Sequence, residues 1–199
     1  MEAPTRTILV LGAGVGGLVV ANELRRALPR AHRITLVDRE SSYLFAPSLL
    51  WLMTGDRTRE RISRPLARLG RKGIEIVRGE IERIDAGRCE AAVGGKTLTG
   101  DYLVIALGAE YAPETIPGLP EAGHNFYTLA GAERLRDALA GFQGGRLVVL
   151  TASPMYKCPP APYEAVMLLD SYCRRRRIRD RTEISMYAAE PGPDRKSVV

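Results

Sequence analysis

Ten residues near the start constrain this chain more than any others: Ile8-Leu9-Val10-Leu11-Gly12-Ala13-Gly14-Val15-Gly16-Gly17. Ile8 to Leu11 is an apolar run suited to a strand buried on both faces. Gly12, Gly14 and Gly17 then satisfy G-x-G-x-x-G. In that pattern the first glycine permits a tight turn and the second lets a pyrophosphate reach the backbone. The third lets the following helix pack close to its strand. Leu18 to Leu28 reads as that helix, stopped by Pro29, and Arg33 to Val37 reads as a second strand. Asp38 closes it, where an acid binds ribose hydroxyls. The spacing predicts an adenine dinucleotide at the helix N-terminus, where free N–H groups and the helix dipole favour phosphate. FAD and NAD both use such a unit, so it does not choose between them, and a Rossmann-like turn that binds nothing is the plain alternative.

Past Asp38, the stretch Arg39 to Trp51 has no clean period and reads as a loop leading into a short helix. Arg57 to Gly70 alternates basic and apolar residues in a helix-like way, broken at Pro65. Ile74 to Val77 is a third strand. Glu80 to Ile84 and Cys89 to Leu98, punctuated by Gly87 and Gly94-Gly95, suggest a small antiparallel meander. Tyr102 to Ala106 reads as another buried parallel strand, ended by Gly108. A proline-rich linker follows, then a helix over Gly131 to Phe142. Arg146 to Leu150, a turn over Thr151 to Pro162, a helix over Tyr163 to Arg177 and a strand over Glu183 to Ala188 make a second α/β unit. The fold class expected is α/β: a Rossmann-like domain over residues 1–110 with a parallel sheet and β-meander, then an incomplete second unit over 111–199.

Composition excludes several classes. The 29 basic residues outnumber 23 acidic ones but lie scattered apart from Arg174 to Arg177, so no basic-aromatic stripe points to nucleic acid. That arginine run sits at a predicted helix C-terminus and reads as a solvated end. Cys89, Cys158 and Cys173 show neither zinc spacing nor a disulfide framework, and no metal ligand set is expected. No run is long enough to span a bilayer. Ile8 to Ala21, preceded by Arg6, has the look of a signal-peptide core, but the glycines inside it favour a cytoplasmic location.

Four segments together resemble the sulfide:quinone oxidoreductase and flavocytochrome c sulfide dehydrogenase family of the disulfide oxidoreductase superfamily. They are Gly12 to Gly17, Tyr43 to Leu49, Gly100 to Gly108, and Lys157-Cys158-Pro159-Pro160-Ala161-Pro162-Tyr163-Glu164. The last is the most specific. The resemblance extends to about Pro191. It implies FAD in the first domain, with Gly12, Gly14, Val15 and Gly16 at the pyrophosphate, Gly17 in the same cofactor-binding turn, and Asp38 at the ribose. Arg39 would lie by the adenosine end and Ile81 near the adenine. Ala46 and Pro47 would line the isoalloxazine side, and Gly108 the returning strand. For each the alternative is plain packing.

Cys158 sits in a turn before a helix and beside Lys157, and both favour thiolate. The resemblance implies that it belongs to a redox pair beside the flavin: sulfide attacks the disulfide, and electrons pass to FAD and on to quinone or another acceptor. A small cysteine without a role is the alternative. The turn Ser153 to Pro160 holds no glycine, which argues against a second, NAD(P)-binding site. Cys173 lies roughly 20 Å farther along a helix, beyond disulfide reach. Two features depart from the family pattern. Tyr127 stands where quinone reductases of the family often carry a cysteine. The chain also ends at Asp194 to Val199, short of the family's continuation, which suggests a truncated form. The expected function is an FAD-dependent oxidoreductase taking electrons from a sulfur donor to quinone, with peripheral membrane contact or homo-oligomerisation left open. A non-catalytic nucleotide-binding remnant and an NAD(P)H-dependent flavin oxidoreductase are the alternatives.

Overall fold

The structure, a computed structural model, describes residues 4–189. Its contacts divide the chain into two compact units. One comprises residues 4–44 and Ser63–Tyr111, the other Phe45–Ile62 and residues 112–189.

The first unit opens with β1 (Thr7–Leu11), α1 (Val15–Ala27) and β2 (Arg33–Asp38). β3 (Ser42–Leu44) pairs antiparallel with β4 (Ser63–Pro65). β5 (Glu75–Arg78), β6 (Ile81–Asp85), β7 (Glu90–Val93), β8 (Lys96–Thr99) and β9 (Tyr102–Ile105) follow. Four strands make a parallel sheet in the order β5-β2-β1-β9, and β6-β7-β8 make the antiparallel meander. Alternation along the strands decides what each face meets. Ile8, Val10, Ile34 and Leu36 point to the side where Ala21 of α1, Leu66 and Ile74 are buried. Leu9, Leu11 and Val37 point the other way, onto Ala91 and Val93 of the meander. The central strands are thus covered on both faces, as the unbroken apolar run of β1 requires.

The run Tyr102 to Ala106 departs from the expectation of burial. β9 is an edge strand, and Tyr102 and Ile105 are 59% and 54% exposed. An apolar run signals two buried faces only where neighbours flank the strand. Among the described residues, none pairs with the outer edge of β9. The loop expected after Asp38 contains β3, and the helix-like reading of Arg57 to Gly70 gives way to a helical turn, β4 and a 3-10 segment over Leu66–Lys72. Strands of three residues carry no readable period.

In the second unit a 3-10 turn at Ala46–Ser48 leads into α2 (Leu49–Met53) and then α3 (Arg59–Ile62). The chain returns with α4 (Leu119–Ala122), α5 (Leu129–Gly141), β10 (Gly145–Leu150), α6 (Ala161–Arg175) and β11 (Thr182–Tyr187). α2 packs on α5 and α6, burying Leu49, Leu50, Leu52 and Met53. Phe45–Ile62 therefore groups with the second unit, although the sequence placed it with the residues that flank it. β10 and β11 are parallel, in register from Gly145 with Thr182 to Leu150 with Tyr187.

The arginine run at the end of α6 is not a merely solvated end. Arg176 Nη1 donates to the carbonyls of Leu139 (2.7 Å) and Ala140 (3.0 Å), satisfying the C-terminus of α5. Arg175 pairs with Asp56 and Arg174 with Asp170. The end of the family resemblance near Pro191, and Asp194 to Val199, lie outside the described residues. Among the described residues no helix is long and apolar enough to cross a membrane.

Candidate functional site

The glycine turn is built from backbone. Gly12 N–H donates to the Val37 carbonyl at 2.8 Å, bringing the end of β1 against the end of β2. Gly12 has φ +96°, and a Cβ there would fall 2.4 Å from the Ala106 carbonyl oxygen. A Cβ at Gly17 would fall 1.8 Å from the Gly12 carbonyl oxygen. These two glycines are required by the protein's own packing. Gly14 is different: a Cβ there would meet no protein atom within 4 Å, so nothing in the fold demands a glycine. Its backbone is left open to close approach from outside.

Gly14 is also the N-cap of α1. It offers no side-chain cap, and the first turn holds no acid. The first N–H groups of a helix have no acceptor within it. Val15 and Gly16 are exposed while Gly17 is buried, so the uncapped, positive end of α1 faces solvent across a glycine surface. This suits phosphate. Asp38, half-buried at the end of β2, completes the turn. Its Oδ2 accepts from Ala13 N–H at 2.6 Å and its Oδ1 from Glu40 N–H at 2.8 Å. Each carboxylate oxygen keeps a further lone pair for a hydroxyl donor.

Arg39 follows, and three carboxylates surround it. Nη2 donates to Glu110, Nη1 lies 3.7 Å from Glu80 and Nε lies 4.0 Å from Glu40. Glu110 first, with Glu80 and Glu40 adding to it, holds the guanidinium above its ordinary range. Gly108, at φ +73°, is exposed where the chain leaves β9. Ile81 packs against the cluster of Leu9, Leu11, Val37, Ala91 and Val93, so the protein's own core accounts for it. The first unit thus gathers Gly12 to Gly17 and Asp38 into one turn, with Arg39 next along the chain.

Ala46, Pro47 and Cys158 belong to the second unit. Ala46 and Pro47 form an exposed 3-10 turn. Cys158 is exposed and lies three residues before α6, with left-handed backbone at φ +52°. Its carbonyl accepts from Ala161 N–H (3.0 Å) and from the Tyr127 hydroxyl (3.2 Å). Tyr127 therefore supports the cysteine turn, a role its sequence position did not signal. The glutamates around Arg39 were equally hidden, since Glu110 stands 71 residues away. Cys173 is buried in α6, and Cys89 is part-buried in the turn between β6 and β7.

Comparison with known proteins gives the family. The pyridine nucleotide-disulphide oxidoreductase profile matches residues 6–154. The chain belongs to that family, whose members are FAD-binding flavoproteins. Within it, the chain is similar to sulfide:quinone oxidoreductases. It is 31% identical over 190 residues to the sulfide-quinone reductase of Aquifex aeolicus, covering 92% of this chain and 43% of that protein. It is 27% identical over 186 residues to the mitochondrial sulfide:quinone oxidoreductase of Mus musculus, covering 89% and 40%. The crystal structure of the Aquifex aeolicus enzyme superposes with a TM-score of 0.88 at 29% identity, over 94% of this chain and 44% of that one. The chain thus spans about two fifths of the length of these relatives.

Proposed function

We propose that this chain holds FAD in its first unit, as part of an oxidoreductase that moves electrons from a sulfur donor to a quinone. The observation that carries the flavin reading is the pairing of an uncapped helix N-terminus with Gly14, the one glycine of the fingerprint that packing does not explain. The N–H groups of Gly14, Val15, Gly16 and Gly17 would hold the pyrophosphate, and Asp38 the ribose of the adenosine. Bound FAD supplies a two-electron acceptor. Arg39, Ala46, Pro47, Ile81 and Gly108 are proposed contacts of lesser weight, Ile81 least, because the core already engages it.

The donor reading rests on Cys158. It is exposed, precedes a helix, and lies in a Cys-Pro-Pro turn, and the relatives named above act on sulfide and quinone by their names. In this reading Cys158 forms a disulfide with a thiol that is not Cys173, since that residue is buried within α6. Sulfide would attack that disulfide, a persulfide S–S bond forming as the old S–S bond breaks and the other sulfur leaving as a thiolate; rejoining of that thiolate with the persulfide would give up two electrons and a proton, for which bound FAD would be the acceptor. The quinone, and contact with a membrane surface where quinones dissolve, are proposed on the same relatives.

The test is anaerobic addition of sulfide to the FAD-loaded chain, alone and joined to the remaining three fifths of a relative. Bleaching of the flavin in the joined protein, lost in Cys158→Ser, is the expected result. A folded, flavin-bound fusion that sulfide leaves oxidised would overturn the donor reading and leave the flavin reading standing.

A further inference from the structure

The end of β2 carries both residue types by which dinucleotide-binding folds distinguish a plain ribose from a 2′-phosphorylated one. An acid accepts from the ribose hydroxyl, and a nearby arginine accommodates the phosphate. Here Asp38 and Arg39 are adjacent, so their sequence alone supports either choice.

The structure separates them. Both Asp38 oxygens are fixed by backbone N–H groups of Ala13 and Glu40, so the carboxylate is held at the glycine turn. Arg39 is engaged elsewhere: its three guanidinium nitrogens face Glu110, Glu80 and Glu40. The neighbouring guanidinium, Arg78, donates through Nε to the Arg39 carbonyl at 3.2 Å. Three carboxylates therefore face Arg39 at this edge of the unit, while Arg78 holds the Arg39 backbone. A phosphate arriving there must displace a glutamate from Arg39 and approach the other acids.

We infer that Glu40, Glu80 and Glu110 are specificity residues of the dinucleotide site, which by occupying Arg39 make it take an unphosphorylated adenosine ribose and reject a 2′-phosphorylated one. The inference rests on the flavin-site reading above and deepens it. The glutamates come from three places in the chain: the residue after Arg39, the turn between β5 and β6, and the segment beyond β9. All three are exposed, so their removal leaves the core intact.

Isothermal titration calorimetry of the flavin-free chain at low ionic strength tests this, with ADP and its 2′-phosphorylated form as probes. The wild-type chain is expected to prefer ADP by about tenfold or more, since like charges a few ångströms apart remain repulsive even in water. The triple variant Glu40→Gln/Glu80→Gln/Glu110→Gln should lose most of that preference by gaining affinity for the 2′-phosphorylated probe, with ADP affinity little changed. Glu110→Gln alone should move the same way by less. Equal binding of both probes by the wild type, or full preference kept in the triple variant, would overturn the inference while ADP binding upheld the site. Failure of ADP to bind the folded wild type would overturn both.

Discussion

At the scale of single residues, the glycines of the fingerprint do different work, and substitution separates them. Gly17→Ala drives a Cβ into the Gly12 carbonyl, and such overpacking costs about 1–3 kcal/mol or more. Gly12→Ala adds a left-handed backbone to a clash with Ala106. Both should lower the thermal midpoint. Gly14→Ala should fold within about 1 kcal/mol of the parent, yet bind FAD more weakly if, as we propose, the pyrophosphate approaches the backbone there. Urea melts beside flavin titrations check all three.

Asp101 offers a pH-dependent test. It accepts from Thr7 N–H and from Arg6, each at 2.7 Å. The Thr7 N–H first, then Arg6, hold its carboxyl below the usual aspartate range. Its folded pKa is thus below its unfolded one, so the stabilisation is present above about pH 4 and lost as pH falls further. Asp101→Asn should lower the urea midpoint at neutral pH, and the gap from wild type should close on acidification below that point. A gap that persists in acid would contradict this.

At the scale of elements, the sequence was most legible where residues report their own neighbours. The strand–turn–helix–strand opening, the meander and the second α/β unit were all readable from apolar runs and glycine punctuation. β9 was half readable: its strand character is intrinsic, but its place at the edge depends on what lies beside it. Leu36→Ala, in a central strand, should cost about 2–5 kcal/mol, whereas Ile105→Ser at the exposed edge should stay within about 0.5 kcal/mol. Chemical denaturation compares the two. Helix α5 gives a finer test. Thr128 caps it, accepting from Gly131 N–H at 3.1 Å. Thr128→Ala should cost about 1 kcal/mol, and Thr128→Ser should restore most of it. The candidate site divided along the same line. The fingerprint and Asp38 are local in sequence and were legible. The Tyr127 bond to Cys158 and the Glu110 pairing with Arg39 join distant segments, and no short pattern announces them.

At the scale of the whole molecule, the chain divides into two compact units. The first contains a complete glycine turn with its acid, and the second contributes the exposed cysteine turn. Phe45–Ile62 crosses from one to the other and back, so the chain cannot be cut at one point without dividing a unit. The family assignment and the geometry meet at one claim, that the glycine turn of the first unit holds a flavin dinucleotide. The most direct measurement is the visible spectrum of the purified chain after mixing with FAD and gel filtration, run beside Gly14→Val. The expected result is a retained, protein-perturbed flavin spectrum in the wild type and its loss in a variant that still folds. A folded wild-type chain that emerges colourless, or a Gly14→Val variant that keeps its flavin equally well, would contradict the claim.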